Sequence, residues 1–123
     1  MLSECALIGF IPTVDAERAR RFYVDMLGLE FVADDQFAVV VKANGSTIRI
    51  VRLEKFTPAS YTVLGWQVAN ITATVDGLTK AGVSFVRYPY FQQDDLGIWT
   101  TPTGAKVAWF HDPDGNVLSL SQH

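Results

Sequence analysis

The sequence of 123 residues holds a single cysteine, Cys5, and only two histidines, His111 and His123. One thiol excludes an internal disulfide and a thiolate metal cluster. Basic residues are scarce: ten Lys and Arg stand against thirteen Asp and Glu, and the densest basic run is Arg18, Arg20 and Arg21. A net charge of −3 with no larger cluster argues against a nucleic-acid surface. No apolar run approaches the length of a membrane span. The opening MLSECALIGF lacks both the basic segment and the long apolar core of a secretory signal. The expectation is a soluble, cytoplasmic protein with no nucleic acid and no membrane among its partners. What the chain has in quantity is apolar residues, 49% against 19% charged. That excludes disorder and suits one domain or two small halves.

Helical and strand periodicities alternate along the chain. Ala6 to Thr13 reads as a strand. Asp15 follows as a helix N-cap, its carboxylate placed to accept from a free first-turn amide. Ala16, Ala19, Tyr23 and Met26 recur at helical spacing, widened by Phe22 and Leu27, and Gly28 suits the left-handed residue past the helix end. Leu29 to Ala33, Gln36 to Lys42 and Thr47 to Leu53 read as strands, with Asp34-Asp35 and Asn44-Gly45 as turns. Asn-Gly tolerates the positive φ angles of a tight hairpin. The order then recurs. Val63 to Val68 is a strand, Asn70 caps a helix carrying Ile71, Val75 and Leu78, and Gly82 ends it. Val83 to Arg87, Ala105 to His111 and Asn116 to Ser121 are expected strands. A longer aromatic and acidic insertion, Tyr88 to Thr103, separates the first two of these and carries a possible short strand over Gly97 to Thr101. Asp112-Pro113-Asp114-Gly115 is a strong turn signal.

Leu27-Gly28-Leu29-Glu30-Phe31-Val32 parallels Ala81-Gly82-Val83-Ser84-Phe85-Val86, 54 residues on. A repeat of that length in that order implies a duplicated βαβββ unit. The expected fold is α+β, with two tandem βαβββ modules forming one cup-like, eight-stranded mixed sheet. Module 1 covers residues 1–56, a linker 57–61 and module 2 62–123. A cup is a natural ligand site unless its own side chains fill it.

The run Ala16-Glu17-Arg18-Ala19-Arg20-Arg21-Phe22-Tyr23-Val24-Asp25-Met26-Leu27-Gly28-Leu29 resembles the first-helix signature of the vicinal oxygen chelate superfamily. That group comprises glyoxalase I, bleomycin-resistance proteins and extradiol dioxygenases. Asp112-Pro113-Asp114-Gly115-Asn116 resembles its C-terminal motif, so the resemblance spans nearly the whole chain. It implies a homodimer, and for the enzymes of the group a divalent metal held by two side chains from each module. Carried onto this sequence, the four ligand positions fall at about Ile8, Arg49, Val63 and Ser119. None supplies a good metal donor, and a slip of one residue recovers none, so the expectation is no metal and no cofactor.

Arg49 is the first candidate site residue. Alternation along β-strand Thr47 to Leu53 sets Arg49, Val51 and Leu53 on one face and Ile48, Ile50 and Arg52 on the other. Arg49 either faces an anionic ligand or makes a salt bridge with one of the acids. The insertion supplies the second group: Tyr88, Tyr90, Phe91 and Trp99 beside Asp94 and Asp95. Such rings stack on flat ligands and carboxylates attract cations, or else the rings simply pin the loop. On the strand from Val63, Gly65 and Gln67 share a face, Gly65 leaving room and Gln67 offering a donor and an acceptor, while Trp66 turns under a helix. His111 is a possible base at a strand end. Cys5 reads as a small buried hydrophobe. The leading expectation is a metal-independent small-molecule-binding protein, resembling the drug-sequestering branch. The alternatives are an enzyme of lyase, isomerase or dioxygenase type acting on a small oxygenated substrate, with a relocated metal or none, and a dimerising interaction module with a filled cup.

Overall fold

A computed structural model describes all residues, 1–123. The chain divides into two compact units, Met1–Thr57 and Pro58–His123. No helix is long and apolar enough to cross a membrane.

In the first unit a turn of 3₁₀ helix, Leu2–Glu4, precedes strand β1 (Ile8–Thr13) and helix α1 (Ala16–Arg20). Strands β2 (Glu30–Asp34), β3 (Ala38–Ala43) and β4 (Ser46–Arg52) follow. The sheet order is β1-β4-β3-β2. β1 runs parallel to β4, and the other neighbours are antiparallel. Asp15 caps α1, its Oδ1 accepting from the Arg18 N–H at 3.1 Å. The helix does not run on as regular α-helix to Leu27. From Arg21 to Met26 it widens into a π-helical turn, in which the Leu27 N–H donates to the Phe22 carbonyl at 2.9 Å. The wider turn brings successive side chains closer in angle, which lets the neighbours Phe22 and Tyr23 both be buried. α1 packs on β3 and β4. Ile11, Val39, Val41, Ile48 and Ile50 form the buried layer of the sheet. The Asn44-Gly45 turn has φ values of +48° and +82°, both in the left-handed region that this hairpin requires.

The second unit holds β5 (Thr62–Gln67), α2 (Ile71–Lys80), β6 (Trp99–Thr100), β7 (Lys106–His111) and β8 (Val117–Gln122), in the sheet order β5-β8-β7-β6. β5 is parallel to β8. Asn70 caps α2 through Oδ1, which accepts from the Ala73 N–H at 3.1 Å. Gln122 Oε1 accepts from the next free amide, Ile71 N–H, at 2.8 Å. α2 packs on β7 and β8. Ile71, Val75, Ala108, Phe110, Leu118 and Leu120 make the core.

The expected strand Val83 to Arg87 is a correction. It makes one bridge, Phe85 opposite Phe110, and one further bond, Val86 N–H to the Trp109 carbonyl at 2.8 Å. The edge of β7 is completed lower down by Trp99 and Thr100, opposite Val107 and Lys106. The outer strand is thus broken in two, and the aromatic insertion leaves the sheet at the break. Pro89, with no N–H to give a ladder, stands at the departure.

Candidate functional site

Strand register fixes which side chains share the face turned away from α2. The tight turn Asp112–Asn116 pairs His111 with Val117, Trp109 with Ser119 and Val107 with Ser121. β5 adds Gly65 opposite Ser119 and Gln67 opposite Ser121, and β6 adds Trp99 opposite Val107. Alternation sends Leu64 and Trp66 to the other face, where Trp66 stacks on Phe110 at 6.2 Å. The expected side of Trp66 and Gln67 therefore holds. The role expected of Gly65 does not: a Cβ there would lie 2.7 Å from Ser119 Oγ, so the missing side chain makes room for Ser119 rather than for a ligand.

On this face the insertion lays down its rings. Phe91 lies 4.2 Å from Trp99 (interplanar angle 25°) and 5.2 Å from Trp109 (4°). Tyr88 meets Trp109 edge-on at 5.3 Å and stacks on Tyr90 at 5.5 Å. Burial, with a smaller effect of the neighbouring Tyr90, raises the pKa of the Tyr88 hydroxyl. Tyr90 is 72% exposed. Tyr88, Tyr90, Phe91 and Trp99 are thus brought together, and Trp109, which sequence reasoning left out of the site, touches three of them, Tyr88, Phe91 and Trp99. Its signal was available. Pairing across the Asp112–Asn116 turn sets 109 opposite 119, on the face expected for position 119.

The base of the insertion is held by polar side chains. Gln93 accepts from the Tyr88 N–H at 2.8 Å and donates to the Val86 and Gly97 carbonyls at 2.9 and 2.8 Å. Arg87 donates to the Asp94 and Asp95 carbonyls at 2.6 and 2.7 Å. Asp94 Oδ1 accepts from the Leu96 and Ile98 N–H groups at 3.0 and 2.9 Å. Asp94 Oδ1 thus serves the loop's own backbone, and the residue also lines a groove with Trp99. Asp95 lines a separate open groove of about 400 Å³ on the α2 side, with Thr79, Ser84, Phe85 and Arg87. Gln92, Gln93, Trp99 and Lys106 border another, of about 450 Å³, at the sheet edge.

Arg49 belongs to the first unit. It sits on the face away from α1, beside Phe10 on β1 and Val40 on β3. Its Nη2 lies 2.7 Å from Asp35 Oδ2, and Asp35 Oδ1 also accepts from the Phe37 and Ala38 amides. Arg52, on the opposite face, holds Asp34 with two bonds of 2.7 Å each. The Arg52 hydrogen bonds, then the Gln36 amide, lower the Asp34 pKa from 3.8 to about 2, and Arg49 lowers that of Asp35 in the same way. A depressed folded-state pKa contributes stability above the unfolded value of 3.8 and loses it as pH falls through about 2. The carboxyl carbon resonance of Asp34 should accordingly titrate near pH 2. In Arg52→Ala it should return toward the ordinary range, and an unshifted midpoint in that variant would remove Arg52 as the cause.

The metal expected of the enzymes in this group finds no fit. Ile8 and Arg49 lie on the face of the first sheet turned away from α1 and Ser119 on the face of the second turned away from α2, while Val63 falls at a register irregularity of β5. Together they offer one hydroxyl and one cation, and a guanidinium repels a dication. No three His, Cys, Asp or Glu side chains come together in the structure. His111 is exposed at the end of β7. Cys5 is exposed too, contrary to the buried role expected of it.

Two four-stranded mixed sheets, each with its own helix and built in the same order, define a tandem βαβββ protein. Residues 5–120 match the family model of the Glyoxalase/Bleomycin resistance protein/Dioxygenase superfamily, and the chain belongs to that superfamily. Solved structures agree. A member of the superfamily from Sphaerobacter thermophilus DSM 20745 is 26% identical over all of both chains, with a TM-score of 0.79. TnmS3, an antibiotic-binding protein from Streptomyces sp. CB03234, is 24% identical over 99% of this chain and 98% of its own, with a TM-score of 0.70. A protein of the same group from Alicyclobacillus acidocaldarius is 15% identical over 98% and 92%, with a TM-score of 0.72. No curated protein matches the chain.

Proposed function

We propose that this protein binds a small organic molecule without a metal, against the aromatic face of its second unit, and acts by holding that molecule rather than transforming it. The observation that carries the reading is the ring cluster of Tyr88, Phe91, Trp99 and Trp109 on the sheet face turned away from α2. Phe91, Trp99 and Trp109 lie within 27° of parallel to one another and offer a flat apolar surface, with Tyr88 edge-on beside it. Gln67, Ser119 and Ser121 border it with hydrogen-bonding groups on the same face. The donor set at the family's metal positions supports the metal-free part of the reading. TnmS3, of the same fold, binds an antibiotic, and a role in sequestration accords with that neighbour. Binding by mass action needs no reacting group.

A native mass spectrum of gently purified protein tests this directly. The expected result is a metal-free dimer that carries an additional organic mass or accepts one on titration, with the added mass lost in Trp99→Ala. A stoichiometric divalent metal, removed by chelator together with ligand binding, would overturn the reading.

A further inference from the structure

We infer that the resting protein occupies its own stacking site: the Phe91 ring holds the place that a flat, uncharged aromatic ligand takes on Trp99 and Trp109. The inference rests on the binding reading above and names both the ligand class and the residue that gates entry. Phe91 lies nearly parallel to Trp109, at 4°, and only 4.2 Å from Trp99. Those are the separations a planar ligand would itself adopt on the same two indoles. A ligand stacking there must displace that ring.

The loop is built so that the ring can leave while its base stays. The three bonds of Gln93, the two of Arg87 and the Asp94 turn clamp residues 86–88 to residues 93–98. Across the intervening tip, the backbone bond is Phe91 N–H to the Tyr88 carbonyl, at 3.1 Å. Beyond it the tip is held by ring contacts, Tyr90 with Phe91 at 4.8 Å and Tyr88 with Phe91 at 6.1 Å. Replacing the stack of Phe91 on the two indoles with that of a ligand on the same two leaves the exchange close to balanced, as a displaceable plug requires.

The charge of the ligand follows from where the ions are spent. The Arg87 guanidinium is bound to carbonyls and Asp94 to backbone amides, while Asp95 lines the groove on the α2 side. Lys106 and Asp94, one charge of each sign, both line the groove beside Trp99 at the sheet edge, so that edge carries no net charge. On the sheet face itself the neighbours of the rings are amide and hydroxyl: Gln67, Ser119 and Ser121. A neutral polycycle with a carbonyl or N–H at its edge fits this surface better than an ion does.

Acridone, a neutral tricycle with one carbonyl and one N–H, is a suitable probe, read by energy transfer from the tryptophans. A ligand competing with an internal ring has its affinity reduced by the fraction of molecules in which that ring is away. Phe91→Ala, and Phe91→Leu as a bulkier variant that keeps the loop apolar, should bind acridone about two- to tenfold more tightly than the wild type, the value of one aromatic pair. In the wild-type protein the Phe91 ring protons, shifted upfield by the two indoles, should move toward free-phenylalanine positions as acridone saturates. If acridone binds but both variants bind it equally or more weakly, and the Phe91 resonances stay upfield, Phe91 is a wall of the site and the plug is overturned, with the binding reading intact. If neither the wild type nor either variant binds acridone, the binding reading fails for this ligand class, and the plug with it.

Discussion

Phe110→Ala should destabilise the protein by about 3–5 kcal/mol, the usual cost of emptying a fully buried phenylalanine site. Phe110 is completely buried. It sits in β7 with Trp66 stacked at 6.2 Å on one side and Phe85 tilted against it at 5.4 Å on the other. It also carries the single bridge that ties Phe85 to the sheet. Truncation removes the ring's transfer energy and leaves a cavity whose walls, Trp66 in the sheet and Phe85 at the bridge, collapse only partly. Urea unfolding should show the midpoint fall with the slope unchanged. Phe37→Ala is the control, since that ring is 67% exposed and its loss should stay within about 0.5 kcal/mol. Equal losses for the two would mean that Phe110 does not anchor the second unit. The prediction bears on function because Phe110 and Trp109 are consecutive. The ring that fixes β7 to the core faces α2, and the ring beside it in sequence faces the candidate ligand.

How far that arrangement can be read from the sequence depends on the range of the signal. Caps and turns are local, and Asp15, Asn70, Asn44-Gly45 and the Asp112–Gly115 turn all act as their chemistry predicts. Alternation is nearly as local, and it sorted Arg49 from Ile48 and Ile50, and Trp66 from Gln67. The family's motifs lie at those same caps and turns, which is why the fold was legible. Pairing between distant segments was not. Val83 to Arg87 has the composition of a strand. Whether it pairs depends on Arg87 and Gln93 finding carbonyls and amides several residues away, and those bonds draw the chain off the sheet after Val86. The same non-local bonding commits Asp94 to the Leu96 and Ile98 amides and Arg49 to Asp35. From sequence Arg49 either faced an anionic ligand or paired with one of the acids, while Asp94 and Asp95 favoured a cation; the pairing, with Asp35, is what forms. With Arg49 paired to Asp35, the pull toward an anion is gone. The π-helical turn at Arg21–Met26 also had no local signature, because it answers the need to bury adjacent Phe22 and Tyr23.

Asp112→Ala is the second large effect, and the mechanism is polar. The carboxylate is buried. Oδ1 accepts from the Asp114 and Asn116 N–H groups at 2.9 Å each, and Oδ2 accepts from Asn116 Nδ2 at 2.8 Å. Asn116 is itself only 1% exposed. Alanine would strand these donors where water reaches them poorly, and an unsatisfied buried donor costs about 1–3 kcal/mol. Because the three act in one turn and the site can relax, the expected loss is about 2–4 kcal/mol rather than their sum. Asp112→Asn should lose less. It keeps an acceptor at Oδ1, but it sets an NH₂ group against Asn116 Nδ2, donor facing donor. The turn also fixes the register that brings Trp109 opposite Ser119, so slackening it should loosen the rings above. Near-ultraviolet circular dichroism from the Trp99–Trp109 pair should weaken in Asp112→Ala under conditions where far-ultraviolet signal is kept. A variant within about 0.5 kcal/mol of the wild type, with its aromatic dichroism intact, would show that β7 and β8 hold their register without this carboxylate.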